Sequence, residues 1–213
     1  MLYPFYLSLP LHVLRFLAID SNFLVVNSML FMNCLLQVLG DVFLYKLAKI
    51  FLGKEGATMT LSYSLFNRRI NEIFQKTLTN GTEAIFSIVG LYFFNRITPR
   101  FNKEMALMTF SITIAFLVRS SSLAGWVPLA LIKVFQGWDM FFAIVLSGIF
   151  VAVPVFMLSV LADSLYYGKF AIPQVNFVYI NVVENISKMF GTDPFYYYIL
   201  ELKYFLTADG NLF

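Results

Sequence analysis

Met140-FFAIVLSGIFVAVPVFMLSV-Leu161 decides the fold class. No charged residue interrupts it, and a helix needs about 20 apolar residues to cross the hydrocarbon of a bilayer. Gly137-Trp138-Asp139 precedes it as a polar turn, and Asp163 follows it. The stretch predicts a membrane-spanning helix. The remainder of the 213-residue chain has the same texture: 60% hydrophobic, 18% aromatic and 13% charged, with mean hydropathy +0.77. An ordinary soluble domain is about 45–50% apolar and about 25% charged. This chain has too little polar surface to clothe a water-soluble globule. The expected fold class is all-α, a polytopic transmembrane helical bundle.

Further apolar runs flank the central one. Phe23 to Leu52 holds a long span, with Asp41, Lys46 and Lys49 in its second half. Lys54-Glu55-Gly56 forms a polar turn, Ala57 to Phe66 a shallow returning span, and Asn67 to Lys76 a polar connector. Thr77 to Phe94, Met105 to Val118 and Leu123 to Phe135 are further crossings, separated by a basic turn (Arg96, Pro99, Arg100, Lys103) and by Arg119 with three serines. Leu2 to Ile19 is broken by Pro4, Pro10, His12 and Arg15 and is expected in the interface; without a basic leader or a small-residue cleavage site it does not read as a signal peptide. The expected organisation is a multi-span bundle over residues 1–163, a luminal aromatic and Asn-rich loop over 164–194, and the start of a further apolar segment over 195–213.

Alternating crossings put Lys46, Lys49, Lys54, Arg96, Arg100, Lys103 and Lys133 on one side, and Arg15, Arg68, Arg69, Lys76, Arg119, Lys169, Lys188 and Lys203 on the other. The near-equal split does not fix orientation by the positive-inside rule, although the short turns of the first set favour the cytoplasm. Net charge +3 suits juxtamembrane basic residues, and no basic cluster interleaved with aromatics points to nucleic acid. The single cysteine, Cys34, excludes an internal disulfide and reads as a small packing residue. One histidine, His12, and one distant cysteine supply none of the usual metal-ligand spacings, so neither a metal site nor a cofactor is expected.

The most polar stretch in an apolar setting is Lys76-TLTNGT-Glu83. Thr79, Asn80 and Glu83 can share one helical face. They fit a helix N-terminus, with a Thr or Asn cap and an early Glu. The spacing by itself favours that reading; the second is a polar site, since an unpartnered polar group in hydrocarbon costs several kcal/mol. Arg119 has two readings, snorkelling to the headgroups or pairing with Glu83 and gripping a phosphate. Asp163 either ends its helix or joins the site. Asn176, Asn181 and Tyr167 lie in the aromatic segment beyond it. Asn80-Gly81-Thr82 and Asn185-Ile186-Ser187 match the glycosylation acceptor pattern, and Asn185 is the better luminal candidate.

The ordered fragments resemble the GPI mannosyltransferases of glycosyltransferase family 22, nearest to those adding the third mannose. The matching pieces are Tyr3-Pro4, Gly40-Asp41-Val42-Phe43-Leu44-Tyr45, Thr77-Leu78-Thr79-Asn80 with Glu83, and Arg119 with Trp126 and Pro128. Asp163-Ser164-Leu165-Tyr166-Tyr167-Gly168-Lys169, Asn176-Phe177, Asn181 and Met189 to Tyr198 complete the set. In the last motif Asp193, Phe195 and Tyr196 replace the usual His, Trp and His. The Pro that usually follows the Arg of the Arg119 motif is also absent. The resemblance implies a GT-C fold in the endoplasmic reticulum membrane and transfer from dolichyl-phosphate mannose to a lipid-linked glycan, the GPI precursor, without a cofactor.

It also implies substrate-binding roles for Lys76, Thr77, Thr79, Asn80, Glu83, Arg119, Asp163, Tyr167, Asn176 and Asn181. The family's acidic base is expected ahead of Tyr3-Pro4, outside this sequence, so the 213 residues alone are expected not to transfer mannose. Alternatives within the class are enzymes adding the fourth GPI mannose or the luminal mannoses of the N-glycan precursor. The alternative outside it is a small transporter or membrane scaffold with Glu83 and Arg119 in a pathway, for which no internal repeat speaks.

Overall fold

A computed structural model describes residues 2–19, 21–76, 79–184, 186, 194, 196 and 197. Among the described residues all regular structure is helical. The helices are α1 (Leu2–Phe16), α2 (Asn22–Phe66), α3 (Arg68–Gln75), α4 (Thr79–Phe94), α5 (Lys103–Val118), α6 (Leu123–Val134), α7 (Trp138–Ser147), α8 (Val153–Tyr167) and α9 (Pro173–Val178). A 3₁₀ turn, Ser120–Ser122, joins α5 to α6, and a π-helical turn, Gly148–Ala152, joins α7 to α8. Among the described residues two helices are long and apolar enough to cross a membrane, Asn22–Phe66 and Trp138–Tyr167, the latter being α7, the π turn and α8 together. Large apolar side chains cover much of the outer surface, with Phe16 and Phe66 almost wholly exposed. Contiguous apolar surface on that scale marks contact with lipid or protein.

The 45 residues of α2 are two antiparallel legs. Gly53 breaks the helix with φ +71° and ψ −170°, an extended positive-φ conformation that costs a side-chain-bearing residue about 1–3 kcal/mol. The return leg lies back on the outgoing one: Ser64 Oγ donates to Asp41 Oδ1 at 2.6 Å, and the Gln37 amide donates to Asn71 Oδ1 in α3. The Lys54-Glu55-Gly56 turn and the shallow return expected for Ala57 to Phe66 correspond to this hairpin. Asn67 caps α3 by accepting from Ile70 N at 3.0 Å.

Contacts along the helices fix their directions. Gly40 of α2 meets Ile85 of α4, and Phe43 packs on Tyr92 and Phe93, so α4 runs parallel to the outgoing leg of α2. Helix α5 returns antiparallel to α4, bringing Arg119 beside Glu83. Phe116 stacks with Phe156, and Thr109 Oγ1 donates to Ser147 Oγ at 2.9 Å, so the α7–α8 rod runs parallel to α5. Close approach of α4 and α6 needs Gly90: a Cβ there would stand 2.9 Å from the Trp126 ring. Met105, Met108, Ile97, Met140 and Ala143 form the buried apolar cluster at the opposite end from Glu83.

Three local expectations are corrected. Cys34 is exposed on α2 and does not pack, because Asn33 takes the inward position in that turn. Helix α8 continues past Asp163 to Tyr167 and stops at Gly168, φ +64°, so Asp163 is an interior helical residue and not its terminator. Parts of the expected 164–194 loop are helical: Pro173 opens α9 with its preset φ, and a π turn follows at Tyr179–Val183. The chain forms two compact units, Met1–Gln174 and Val175–Phe213.

Candidate functional site

The site is built around one ion pair. Arg119 Nη1 donates to Glu83 Oε2 at 3.1 Å across 36 residues of sequence. Glu83 is largely buried, 18% exposed at its side chain, whereas Arg119 is 45% exposed. Arg119 is the C-cap of α5, its own N–H bonded to Ala115 O at 2.9 Å, and the fully buried Ala115 lets α5 sit close. Glu83 lies beyond the first turn of α4, so its partner is Arg119 and not the helix N-terminus. A guanidinium has five N–H donors, and the one contact with Glu83 leaves others for a ligand on the half-exposed side chain. The arrangement is a tethered cation with spare donors, suited to a phosphate.

Beside the pair stands a polar group absent from the sequence-based expectations. Tyr3 hydroxyl donates to Asn33 Oδ1 at 3.1 Å and also engages the Thr82 side chain, one residue from Glu83. All three residues are buried. Tyr6 hydroxyl adds a bond to Met32 O at 2.7 Å, so two tyrosines pin α1 to α2. The signal was present in Asn33 itself, an amide in the otherwise apolar run Met29 to Leu36.

Of the other expected residues, Thr79 and Asn80 are exposed in the first turn of α4, and Lys76 is an exposed C-cap of α3. Thr77 and Asn185 lie outside the described residues, as do most of Met189 to Tyr198. Asp163 is only 1% exposed and sits two turns past Phe156, at the same end of the helices as Arg119. The same end holds the buried Gln174, which donates weakly through Nε2 to Leu117 O at 3.4 Å, and the buried Ser122. Tyr167 is exposed with its ring edge-on to Tyr166. In the second unit, Asn176 is exposed and Asn181 Nδ2 donates to Phe177 O at 2.8 Å.

A sizeable cavity lies away from the ion pair. A cleft of about 390 Å³ runs between α5, α6 and the α7–α8 rod, walled by Phe94, Ile112, Phe116, Trp126, Ile144 and Phe156. Its hydroxyls are bonded within the fold: Thr113 to Thr109 O, Thr109 to Ser147, and Ser147 to Ile144 O. With its hydroxyls turned inward and its one charged side chain, Lys133, lying 4.8 Å over the Phe94 ring, the cleft is walled mainly by apolar groups and suits a hydrocarbon chain better than a sugar. The π turn Gly148–Ala152 forms part of the wall, a feature frequent at functional sites.

Residues 1–206 match the family model described as the Alg9-like mannosyltransferase family. The chain belongs to the Alg9-like mannosyltransferase family. Curated relatives agree with membership of this family. The chain is 24% identical over 205 residues to "Mannosyltransferase APTG1" of Arabidopsis thaliana, covering 94% of this chain and 37% of that protein. It is 26% identical over 190 residues to "GPI mannosyltransferase 3" of Candida albicans, covering 85% and 37%. It is 26% identical over 196 residues to "GPI alpha-1,2-mannosyltransferase 3" of Danio rerio, covering 92% and 36%. The chain thus spans little more than a third of the length of these Alg9-like relatives. No solved structure matches it.

Proposed function

We propose that the chain is the substrate-handling part of a multi-pass mannosyltransferase of the endoplasmic reticulum membrane, built on the GT-C arrangement of helices. The donor is dolichyl-phosphate mannose. The acceptor is a mannose hydroxyl of the GPI precursor, extended in α-1,2 linkage as its third mannose. In this reaction the acceptor oxygen attacks C1 of the donor mannose and the bond from C1 to the phosphate oxygen breaks. The configuration inverts, dolichyl phosphate departs with the bonding pair, and a base takes the hydroxyl proton.

The single observation that carries this reading is the Glu83–Arg119 pair: two distant motif residues joined at one end of the helices. Arg119 would meet the departing phosphate with the N–H groups that Glu83 does not use, stabilising the charge that develops there. Glu83 holds the guanidinium in place and balances its charge in the empty site. Lys76, Thr79 and Asn80 would line the approach to the sugar. Asp163 and Tyr167 would contact sugar hydroxyls; Asn176 and Asn181, in the second unit, are sugar-binding candidates by motif alone. The apolar cleft would take part of the polyprenyl chain.

Donor class tests the reading. In lipid nanodiscs the protein should bind dolichyl-phosphate mannose, with dolichyl phosphate competing and GDP-mannose failing to compete. Binding of GDP-mannose, or of neither compound, refutes it. The family model is broader than the GPI enzymes, which favours one second acceptor, the mannosylated N-glycan precursor. Membranes supplied with each acceptor separate the two, and the preferred product should release its new mannose to an α-1,2-mannosidase.

A further inference from the structure

At the far end of α4 from Glu83, three cations surround a small recess. Lys46 of α2, Arg96 just past α4 and Lys103 at the start of α5 line a space of about 230 Å³ with Phe43, Tyr92 and Phe93. Lys46 Nζ stands 4.8 Å from the centroid of the Phe43 ring and 5.9 Å from that of Tyr92. The Arg96 guanidinium lies 5.4 Å from the Tyr92 centroid, and its Nη1 donates to the Tyr92 hydroxyl at 2.8 Å. Aromatic faces thus hold Lys46 and Arg96 in place, and each keeps most of its donors free. One carboxylate, Glu104, also lines the recess. Among the described residues none of the three cations is ion-paired within 4.0 Å.

We propose that this recess binds the phosphate of an anionic glycerophospholipid in the leaflet opposite the Glu83–Arg119 site. Three positive groups against one negative leave an unmatched charge that a phosphate diester with an acidic headgroup would complement. The walls offer cations and an aromatic floor with a single carboxylate, which suits a compact phosphate and not a hydroxyl-rich glycan. The lipid source follows from the surroundings. Ile50, Phe51 and Leu52 are exposed on α2 just beyond Lys46, and Phe101 is exposed beside Lys103, so apolar surface borders the recess. Basic groups beside hydrocarbon attract anionic lipid in the cytoplasmic leaflet. The proposal is independent of the sugar-transfer reading, since neither Glu83 nor Arg119 contributes to it.

Photoreactive lipids test it. Protein in phosphatidylcholine bilayers receives trace photoreactive phosphatidylserine or photoreactive phosphatidylcholine, and crosslinked peptides are mapped. Phosphatidylserine should label peptides of residues 43–51 and 92–107 at least about fivefold more than phosphatidylcholine, a factor of about five being expected per basic group near the surface. Lys46→Gln with Arg96→Gln should bring the two lipids level. Glu104→Gln should raise phosphatidylserine labelling, and it decides the matter if the double substitution fails to fold. Equal labelling in the wild type, or no response to Lys46→Gln with Arg96→Gln, overturns the proposal. A fall with Glu104→Gln also overturns it. Competition by soluble glycerophosphoserine at millimolar concentration overturns the lipid assignment in favour of a free phosphate.

Discussion

Gly90→Ala is the sharpest test of how α4, α5 and α6 pack. The added Cβ would lie 2.9 Å from both Cη2 and Cζ2 of Trp126 and 3.5 Å from Ile112 Cγ1. Ordinary contact needs about 3.5–4.0 Å between carbons, so roughly 0.6–1.1 Å must be found. The indole cannot bend, and Trp126 is 6% exposed with Phe94 at its edge. Overpacking of this kind costs about 1–3 kcal/mol. For a chain of this size 1 kcal/mol lowers Tm by about 2–4 °C, so a fall of about 2–12 °C is expected. Tryptophan fluorescence during heating of the detergent-solubilised protein reads it. Gly125→Ala, where nothing stands within 4 Å, is the control and should be neutral or slightly stabilising. Trp126→Phe should rescue Gly90→Ala while costing stability alone. Equal behaviour of Gly90→Ala and Gly125→Ala, or no rescue, refutes the packing.

Replacing Arg119 by Leu leaves a largely buried Glu83 carboxylate unpaired and should cost about 1–3 kcal/mol, whereas Glu83→Leu with Arg119→Leu should cost less than the sum of the singles; a thermal-shift double-mutant cycle that proves additive contradicts the pair. Tyr3→Phe removes a buried donor to Asn33 and should lower stability by about 1 kcal/mol in the same assay, while Tyr45→Phe serves as a comparison outside that cluster. Ser64→Ala breaks a 2.6 Å bond to Asp41, and Gly53→Ala forces φ +71° on a side-chain residue. Each should destabilise the α2 hairpin by about 1–3 kcal/mol, seen as faster proteolysis near Lys54.

Helical segments were legible because long apolar helices announce themselves by composition, and the run Met140 to Leu161 lies within the rod Trp138–Tyr167. The α2 hairpin was legible from Lys54-Glu55-Gly56, although the break itself falls at Gly53, where backbone geometry and not polarity decides. Pairings between helices were harder. Glu83 and Arg119 are 36 residues apart, and only alternating crossings put them at the same end. Composition could not tell that Gly90 approaches Trp126 while Gly125 and Gly148 face open space, since rotation about a helix axis is set by packing. The Tyr3–Asn33–Thr82 cluster joins three helices, and no local spacing reveals such a meeting. Asp163 read equally well as a terminator because the helix runs only one more turn, to Gly168.

The central claim is that Arg119, tethered by Glu83, receives the phosphate of a lipid-linked mannose. A photoreactive dolichyl-phosphate mannose, with the reactive group beside the phosphate, measures it directly in nanodiscs. Labelling should fall on peptides containing residues 79–83 and 119–126 and drop at least about tenfold in Arg119→Gln, the loss of a charge-assisted contact of about 1.5–3 kcal/mol. Labelling that maps instead to Lys46 and Arg96 at the other end, or that survives Arg119→Gln undiminished, contradicts it.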